Sequence, residues 1–277
     1  MSCVYALQPR FVRFTPLALA LLLASCASLP PVQTVQVGVI QMAYVKSGTS
    51  GPTIVFQSGL GDGMSPWAAV IERLPQSTSV FAYDRPGYGS SGAAPAQLRD
   101  SCSIARELRE TLRAVGVHPP YLLVGHSLGG QYQYAFARLY PKDVAGILLL
   151  DPTHPDHWAQ MQQQAPSAAA TISGLRVVMF SSAMRAEFDA QASCLESQRL
   201  LTVRVPTRIL ARTRHDLTET PAFRTMVERL ERDWLTILPG ATRRAVEGAG
   251  HYIHSDKPDV VASEILTLLR DVQRSGK

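Results

Sequence analysis

The chain of 277 residues is poor in charged residues, aromatic residues and cysteines, which argues against a nucleic-acid-binding protein and against a zinc protein. Charged residues make up 18% of the sequence and aromatic residues 7%, with four cysteines and a net charge of +5. The basic residues are scattered among acidic ones and form no basic stripe with interleaved aromatics, so we expect no nucleic-acid partner. No Cys/His spacing resembles a zinc site, and we expect no bound metal.

The N-terminal thirty residues have the pattern of a targeting segment. Arg10 and Arg13 supply positive charge, and no acidic residue occurs before position 62. The apolar run 17–23 follows them and is too short to cross a membrane as a helix. The pattern therefore predicts a signal for export rather than a membrane-spanning segment.

Residues 23–26, Leu-Ala-Ser-Cys, resemble the lipobox of bacterial lipoproteins, whose cysteine is acylated and becomes the first mature residue. The alternative is an ordinary secretory signal, in which Cys26 is incidental. We expect a lipoprotein signal peptide over residues 1–25, lipid on Cys26 and a short tether over residues 26–35. Such a protein would be anchored to a membrane of the bacterial cell envelope, most simply on its periplasmic side.

Export would leave Cys102 and Cys194 in an oxidising compartment, where they can pair. A disulfide requires the two side chains to be close in space, which the sequence does not specify. The sequence is therefore compatible both with a disulfide between Cys102 and Cys194 and with two separate thiols.

Apolar strand-like runs alternate with helical patterns through the rest of the chain, which is typical of an α/β fold. We predict a mostly parallel central sheet with helices on both faces. Helical spacing of apolar residues begins after a cap at Asp100 or Ser101, and a closing helix begins at Pro258. The predicted strands are 53–57, 79–83, 121–125, 146–150, 207–210 and 243–246.

Residues 152–204 interrupt this alternation. They are rich in Gln, Ala, Ser and Met, and they predict a small helical cap inserted over the sheet. Residues 36–151 and 205–277 would then form the two parts of the core domain. The methionine and aromatic side chains of the insertion either line an apolar pocket or only pack the cap onto the sheet.

A sharp strand-to-helix turn is predicted at residues 125–130, Gly-His-Ser-Leu-Gly-Gly, directly after the apolar run 121–124. The turn matches the pattern G-x-S-x-G, in which the glycines let the backbone double back. It would hold the Ser127 hydroxyl at the carboxyl edge of the sheet and at the N-terminus of the next helix. Ser127 is therefore the candidate nucleophile for attack on a carbonyl carbon.

A serine hydroxyl needs a general base to become a nucleophile. Residues 248–251, Gly-Ala-Gly-His, follow the last predicted strand, so His251 should lie at the same sheet edge as Ser127. His251 is the candidate base. His254 is a weaker rival, expected at the surface or behind the site, and the His126 side chain should point away from the nucleophile.

The base in turn needs a carboxylate that orients it and stabilises its positive charge. Two candidates follow predicted strands at the correct edge. We favour Asp216, which lies in the loop after the strand 207–210, and keep Asp151 after the strand 146–150 as the alternative.

An oxyanion formed on attack needs two hydrogen-bond donors. The N–H of Leu128, just after the nucleophile, is one candidate. The N–H of Leu60, in the glycine-rich segment 57–63 after an early strand, is the other.

Four segments, taken in order, resemble the α/β-hydrolase superfamily over roughly residues 36–273. The resemblance implies the α/β-hydrolase fold and a serine hydrolase that needs no cofactor and acts on a small-molecule ester. Many relatives have His-Gly in the first segment, where this chain has Ser58-Gly59, which keeps the backbone donor and removes an imidazole. We expect Asp84 and Arg85 to brace the turn beside the site. The segments are SGLG at 58–61, YDRPGYG at 83–89, GHSLGG at 125–130 and GHYIHSDKP at 250–258.

The same residues are compatible with other activities. A Ser–His–Asp site also supports amide hydrolysis, acyl transfer or cofactor-free peroxidation, and the fold does not distinguish these reactions. A ligand-binding or sensing module that retains slow hydrolysis is the alternative from a different class of protein.

Overall fold

The computed structural model describes residues 27–191, 193–194 and 203–275. The predicted signal peptide at 1–25 and the predicted lipid attachment at Cys26 lie outside the described residues. None of the helices in the described ranges is long and apolar enough to span a bilayer.

The described chain contains one sheet of eight strands in the order β1-β2-β4-β3-β5-β6-β7-β8. β2 pairs in antiparallel fashion with β1 and β4, and the six strands β4-β3-β5-β6-β7-β8 are parallel to one another. This architecture confirms the predicted α/β fold. The strands are β1 Gln33–Val37, β2 Ile40–Ser47, β3 Ser50–Gln57, β4 Thr78–Tyr83, β5 Tyr121–His126, β6 Val144–Leu150, β7 Thr207–Arg212 and β8 Thr242–Val246.

Helices connect the parallel strands and cover both faces of the sheet. Asp100 caps α2, since its side chain accepts a 2.7 Å hydrogen bond from the Ser103 N–H, and Pro258 begins α9, as predicted. The helices are α1 Ala68–Glu72, α2 Ser101–Ala114, α3 Leu128–Leu139, α4 His157–Gln164, α5 Pro166–Met179, α6 Ser182–Ala190, α7 Pro221–Ile237, α8 Ile253–Asp256 and α9 Pro258–Ser275.

The core consists of two apolar layers, one on each face of the sheet. Successive side chains of a strand point to opposite faces, so Leu123 of β5 packs with α2 and α3 while Leu122 packs with α1 and α9. Every residue of β5 is buried. Burial on both faces explains why the parallel strands appear in the sequence as continuous apolar runs.

Among the described residues between β6 and β7 there are three helices, α4 to α6, and we call them the cap. The cap packs on α7, because Met161 and Ala165 share an apolar cluster with Met226 and Leu230. Cys194, four residues after the end of α6, forms a disulfide with Cys102 of α2 and so joins the C-terminal end of the cap to the core. The structure thus contains the pairing that the sequence left open.

Candidate active site

Ser127 occupies the sharp turn between β5 and α3. Its φ of 54° and ψ of −125° are unusual for a residue with a side chain. Two backbone hydrogen bonds hold this conformation, from the Ser127 N–H to the Leu150 carbonyl and from the Thr153 N–H to the Ser127 carbonyl, both 3.0 Å. The end of β6 therefore supports the strained turn that presents the hydroxyl.

The glycines on either side of Ser127 are required by close backbone approach. A Cβ on Gly125 would lie 2.6 Å from the Gly129 carbonyl oxygen, and one on Gly129 would lie 2.3 Å from the Gln57 carbonyl oxygen. No side chain fits at either distance. The spacing of the G-x-S-x-G pattern follows from this crowding.

His251 lies on the loop after β8, and its side chain reaches Ser127. Its Nε2 is 3.1 Å from Ser127 Oγ. The His251 backbone is held from behind by His126, whose Nε2–H donates a 2.9 Å hydrogen bond to the His251 carbonyl. Burial, together with the nearby charges of His251 and His254, lowers the pKa of His126 well below its ordinary value, so His126 is a neutral support.

His254 packs away from Ser127, against Trp67, with ring centroids 4.5 Å apart. It is 1% exposed, so it belongs to the core behind the site rather than to the surface. The structure brings His251, and not His254, to Ser127.

Asp151 is the carboxylate that contacts His251, with Oδ2 2.6 Å from His251 Nδ1. Burial raises the pKa of Asp151, but the hydrogen bond with His251 and the charges of His251 and Arg212 lower it below its ordinary value. The carboxylate is therefore ionised at neutral pH. Arg212 lies at the end of β7, with Nε 3.3 Å from Asp151 Oδ2 and Nη1 2.7 Å from Glu219 Oε1.

The preference for Asp216 over Asp151 is corrected by this geometry. The Asp216 carboxylate is on the rim of the cavity, where it accepts hydrogen bonds of 3.1 and 3.0 Å from the Thr218 N–H and hydroxyl. β7 is separated from β5 by β6. A residue directly after β6 is thus one strand spacing closer to Ser127 than a residue after β7.

The segment 57–63 at the end of β3, which we call the oxyanion loop after its predicted role, lies against the turn at Ser127. A Cβ on Gly59 would be 3.1 Å from Ser127 Cβ. Leu60 packs in one small cluster with Leu128 and Tyr132. Leu128 is the first residue of α3, so its N–H has no acceptor within the helix. Both predicted donor residues therefore lie beside Ser127.

A cavity of about 830 Å³ opens onto Ser127, Asp151 and His251. The cap and α7 contribute apolar side chains to its lining, together with the polar residues His157, Ser167, Thr171 and Glu231. Its rim is polar. The apolar side chains are Met161, Ala168, Ile172, Leu175, Phe223, Val227 and Leu230, and the rim includes Arg214, His215, Asp216, Thr218 and Glu219.

Two site residues were missed in the sequence. Arg212 ends a strand that we predicted to stop at residue 210, and no local pattern marks its contact with Asp151. Thr153, whose Oγ1 is 3.5 Å from Ser127 Oγ, was hidden in the start of the predicted insertion. Both contacts join strand ends that are distant in the sequence.

The sheet order and the strand–turn–helix at Ser127 define the class as the α/β-hydrolase fold. The chain belongs to the Alpha/beta hydrolase family, whose sequence profile matches residues 54–264.

Similar proteins agree with this assignment at the level of the fold. Over 111 residues, the chain is 37% identical to the uncharacterized protein YqjL of Bacillus subtilis, covering 40% of this chain and 44% of YqjL. The matched part thus spans less than half the length of the curated relatives. A candidate lipase from Acinetobacter baumannii superposes with a TM-score of 0.66 at 18% identity, covering 88% of this chain and 92% of that protein. The epoxide hydrolase CorEH gives 0.64 at 20% identity, with 87% and 99% covered.

Proposed function

We propose that the protein is a serine hydrolase that cleaves carboxylic esters. The observation that carries the proposal is the continuous contact from Ser127 Oγ to His251 Nε2, at 3.1 Å, and from His251 Nδ1 to Asp151 Oδ2, at 2.6 Å. A hydroxyl, an imidazole and a buried carboxylate in this order can generate a nucleophile without a metal or an organic cofactor.

In the first half of the proposed reaction, Ser127 Oγ attacks the acyl carbon and its proton passes to His251 Nε2. Asp151 stabilises the imidazolium that results, and the N–H groups of Leu60 and Leu128 bind the oxyanion. The intermediate collapses when the carbon–oxygen bond to the alcohol breaks. The alcohol leaves with the proton from His251, and the acyl group stays on Ser127.

In the second half, a water molecule gives a proton to His251 and attacks the acyl-enzyme. The tetrahedral intermediate then releases the carboxylic acid, and Ser127 Oγ recovers its proton from His251. The His251 side chain is 41% exposed, which leaves the imidazole accessible from the cavity for this water.

The lining of the cavity supports a proposal for the substrate class. We infer an ester with a small to medium apolar acyl or alcohol part, because α4, α5 and α7 contribute seven apolar residues, Met161, Ala168, Ile172, Leu175, Phe223, Val227 and Leu230, to the lining of the cavity. The candidate lipase with the same fold is consistent with ester chemistry. We also propose that the protein is exported and anchored by lipid on Cys26, on the basis of the N-terminal sequence.

The proposal is tested by labelling the full-length protein with a fluorophosphonate probe, which reacts with activated serines. Wild type should be labelled, Ser127→Ala should not, and Ser263→Ala, on the exposed side of α9, should label like wild type. Hydrolysis of p-nitrophenyl esters of increasing chain length then measures kcat/KM for each acyl group. Folded wild-type protein that neither labels nor turns over any ester would refute the serine hydrolase and favour a binding module.

A further inference from the structure

A buried ion pair joins the cap to the loop region beside the nucleophile. Arg85, in the turn after β4, is 1% exposed, and Glu187 of α6 is 0% exposed. Their side chains make a two-point contact, Nε to Oε1 and Nη2 to Oε2, each 3.1 Å. Tyr88 and Tyr132 donate further hydrogen bonds to Glu187. Burial raises the pKa of Glu187, but the charge and hydrogen bonds of Arg85 lower it below its ordinary value, so the pair is ionised.

The other side of the Arg85 guanidinium binds the oxyanion loop. Nη1 donates a 2.7 Å hydrogen bond to the Ser58 carbonyl, and Nη2 donates a 2.8 Å hydrogen bond to the Gly59 carbonyl. A guanidinium is planar and presents its N–H groups in a rigid fork. Arg85 therefore holds Glu187 on one edge and two consecutive carbonyls on the other.

The Gly59 carbonyl and the Leu60 N–H belong to the same peptide unit. In a planar trans peptide these two groups point in opposite directions. When Arg85 binds the carbonyl, the Leu60 N–H is turned away from Arg85. Gly59 itself lies against Ser127, since a Cβ there would be 3.1 Å from Ser127 Cβ.

We propose that Arg85 is a positioning residue that orients the Leu60 N–H for oxyanion binding, and that Glu187 of the cap holds Arg85 in place. This inference rests on the serine hydrolase proposed above. It extends the structural role expected for Arg85 from the sequence, because the cap must be seated on the core for the oxyanion loop to keep its orientation. The cap thus contributes to the reaction as well as to the substrate cavity.

Arg99 provides a matched control for Arg85. It also contacts Glu187, with Nη2 3.2 Å from Oε1, and its Nη1 lies 3.0 Å from Glu107 Oε2. Within the described chain, the side-chain contacts of Arg99 go to these two carboxylates and not to the oxyanion loop. A lysine at either position keeps the positive charge opposite Glu187 but loses the fork.

Arg85→Lys and Arg99→Lys are compared by steady-state hydrolysis of p-nitrophenyl butyrate. We expect Arg85→Lys to lower kcat by roughly 10- to 100-fold with KM unchanged. A misdirected Leu60 N–H would weaken binding of the transition state and leave binding of the substrate unchanged. Arg99→Lys should keep the wild-type kcat. An unchanged kcat in Arg85→Lys, or an equal loss in both variants, would overturn the proposal.

Hydrogen–deuterium exchange of residues 57–63 gives a readout that does not depend on turnover. We expect faster exchange in Arg85→Lys and in Glu187→Gln, and wild-type exchange in Arg99→Lys. If Arg85→Lys does not fold, the same measurement is made on Glu187→Gln. Unchanged exchange of the oxyanion loop in that variant would reject the proposed coupling of Glu187, through Arg85, to the loop. A wild-type protein without ester turnover would instead reject the proposed function, while the exchange experiment still reports on Arg85.

Discussion

His251 Nδ1 lies 2.6 Å from Asp151 Oδ2, and the same carboxylate oxygen lies 3.3 Å from Arg212 Nε. Loss of the negative charge should leave His251 without its stabilising partner. We expect Asp151→Asn to lower kcat by about 10⁴-fold, the size of effect seen when a triad carboxylate is replaced. Ester hydrolysis under saturating substrate measures this loss.

Asp216→Asn is the matched control for Asp151→Asn. The Asp216 carboxylate bonds to Thr218 on the cavity rim and does not contact His251. We expect its kcat to stay close to wild type. A large loss in Asp216→Asn with an active Asp151→Asn would contradict the geometry.

Two helical glycines should respond in opposite ways to alanine. A Cβ on Gly129 of α3 would lie 2.3 Å from the Gln57 carbonyl oxygen, whereas nothing lies within 4 Å of one on Gly174 of α5. We expect Gly129→Ala to lower the free energy of unfolding by about 1–3 kcal/mol and to abolish turnover. Gly174→Ala should raise it by up to about 1 kcal/mol. Urea unfolding measures both, and a neutral Gly129→Ala would show that the turn tolerates a side chain.

The buried His254 should make stability depend on pH. Burial, with a further contribution from the charge of His251, lowers the pKa of His254 from 6.5 to about 4. The unfolded chain then binds this proton more tightly than the folded protein, so stability is lost as the pH falls from 6.5 towards 4. The loss from this group should reach about 2 kcal/mol near pH 5.

Urea unfolding near pH 7 and near pH 5 tests this dependence in His254→Gln. The variant should lose less stability than wild type on acidification. His118→Gln, at an exposed position, should lose as much as wild type. Equal acid sensitivity of wild type and His254→Gln would show that other groups control it.

The apolar wall of the cavity should set the preferred acyl chain. Ile172 of α5 lines the cavity, whereas Val178 of the same helix is 85% exposed. We expect Ile172→Trp to shift the best p-nitrophenyl ester to a shorter chain, because the larger side chain fills part of the cavity. Val178→Trp should keep the wild-type profile. An unchanged profile in Ile172→Trp would place the acyl chain elsewhere.

The predicted lipid anchor is tested by cell fractionation. If Cys26 carries lipid, Cys26→Ser should move the protein from the membrane fraction to the soluble fraction, because the acyl chains are lost. Cys3→Ser, within the predicted signal peptide, should fractionate like wild type. Unchanged membrane retention of Cys26→Ser would reject the lipobox.

The parallel part of the fold was predictable because burial on both faces leaves continuous apolar runs. β5 and β6 are examples, with nearly every residue buried. β1 was missed because its residues are largely exposed and polar, as in Gln33 and Thr34, and it is ordered by pairing with β2. α7 was missed although its apolar face packs on the cap. These elements depend on tertiary contacts more than on local pattern.

The sequence by itself determined the sharp turn at Ser127 and the position of His251 at the same edge of the sheet. Glycines flank both Ser127 and His251 in the sequence. At Gly125 and Gly129 the backbone approaches so closely that no residue with a side chain fits. The contact between Ser127 and His251 at 3.1 Å follows from strand ends that meet at one sheet edge.

Only the tertiary structure decided which carboxylate contacts His251 and which side chains hold the oxyanion loop in place. Asp151 and Asp216 both follow strands, and the order β5-β6-β7 brings the first close to Ser127 and leaves the second on the rim. Glu187 reaches Arg85 across 102 residues of sequence. Such contacts depend on how segments that are distant in the sequence pack together, and no local pattern of residues encodes that packing.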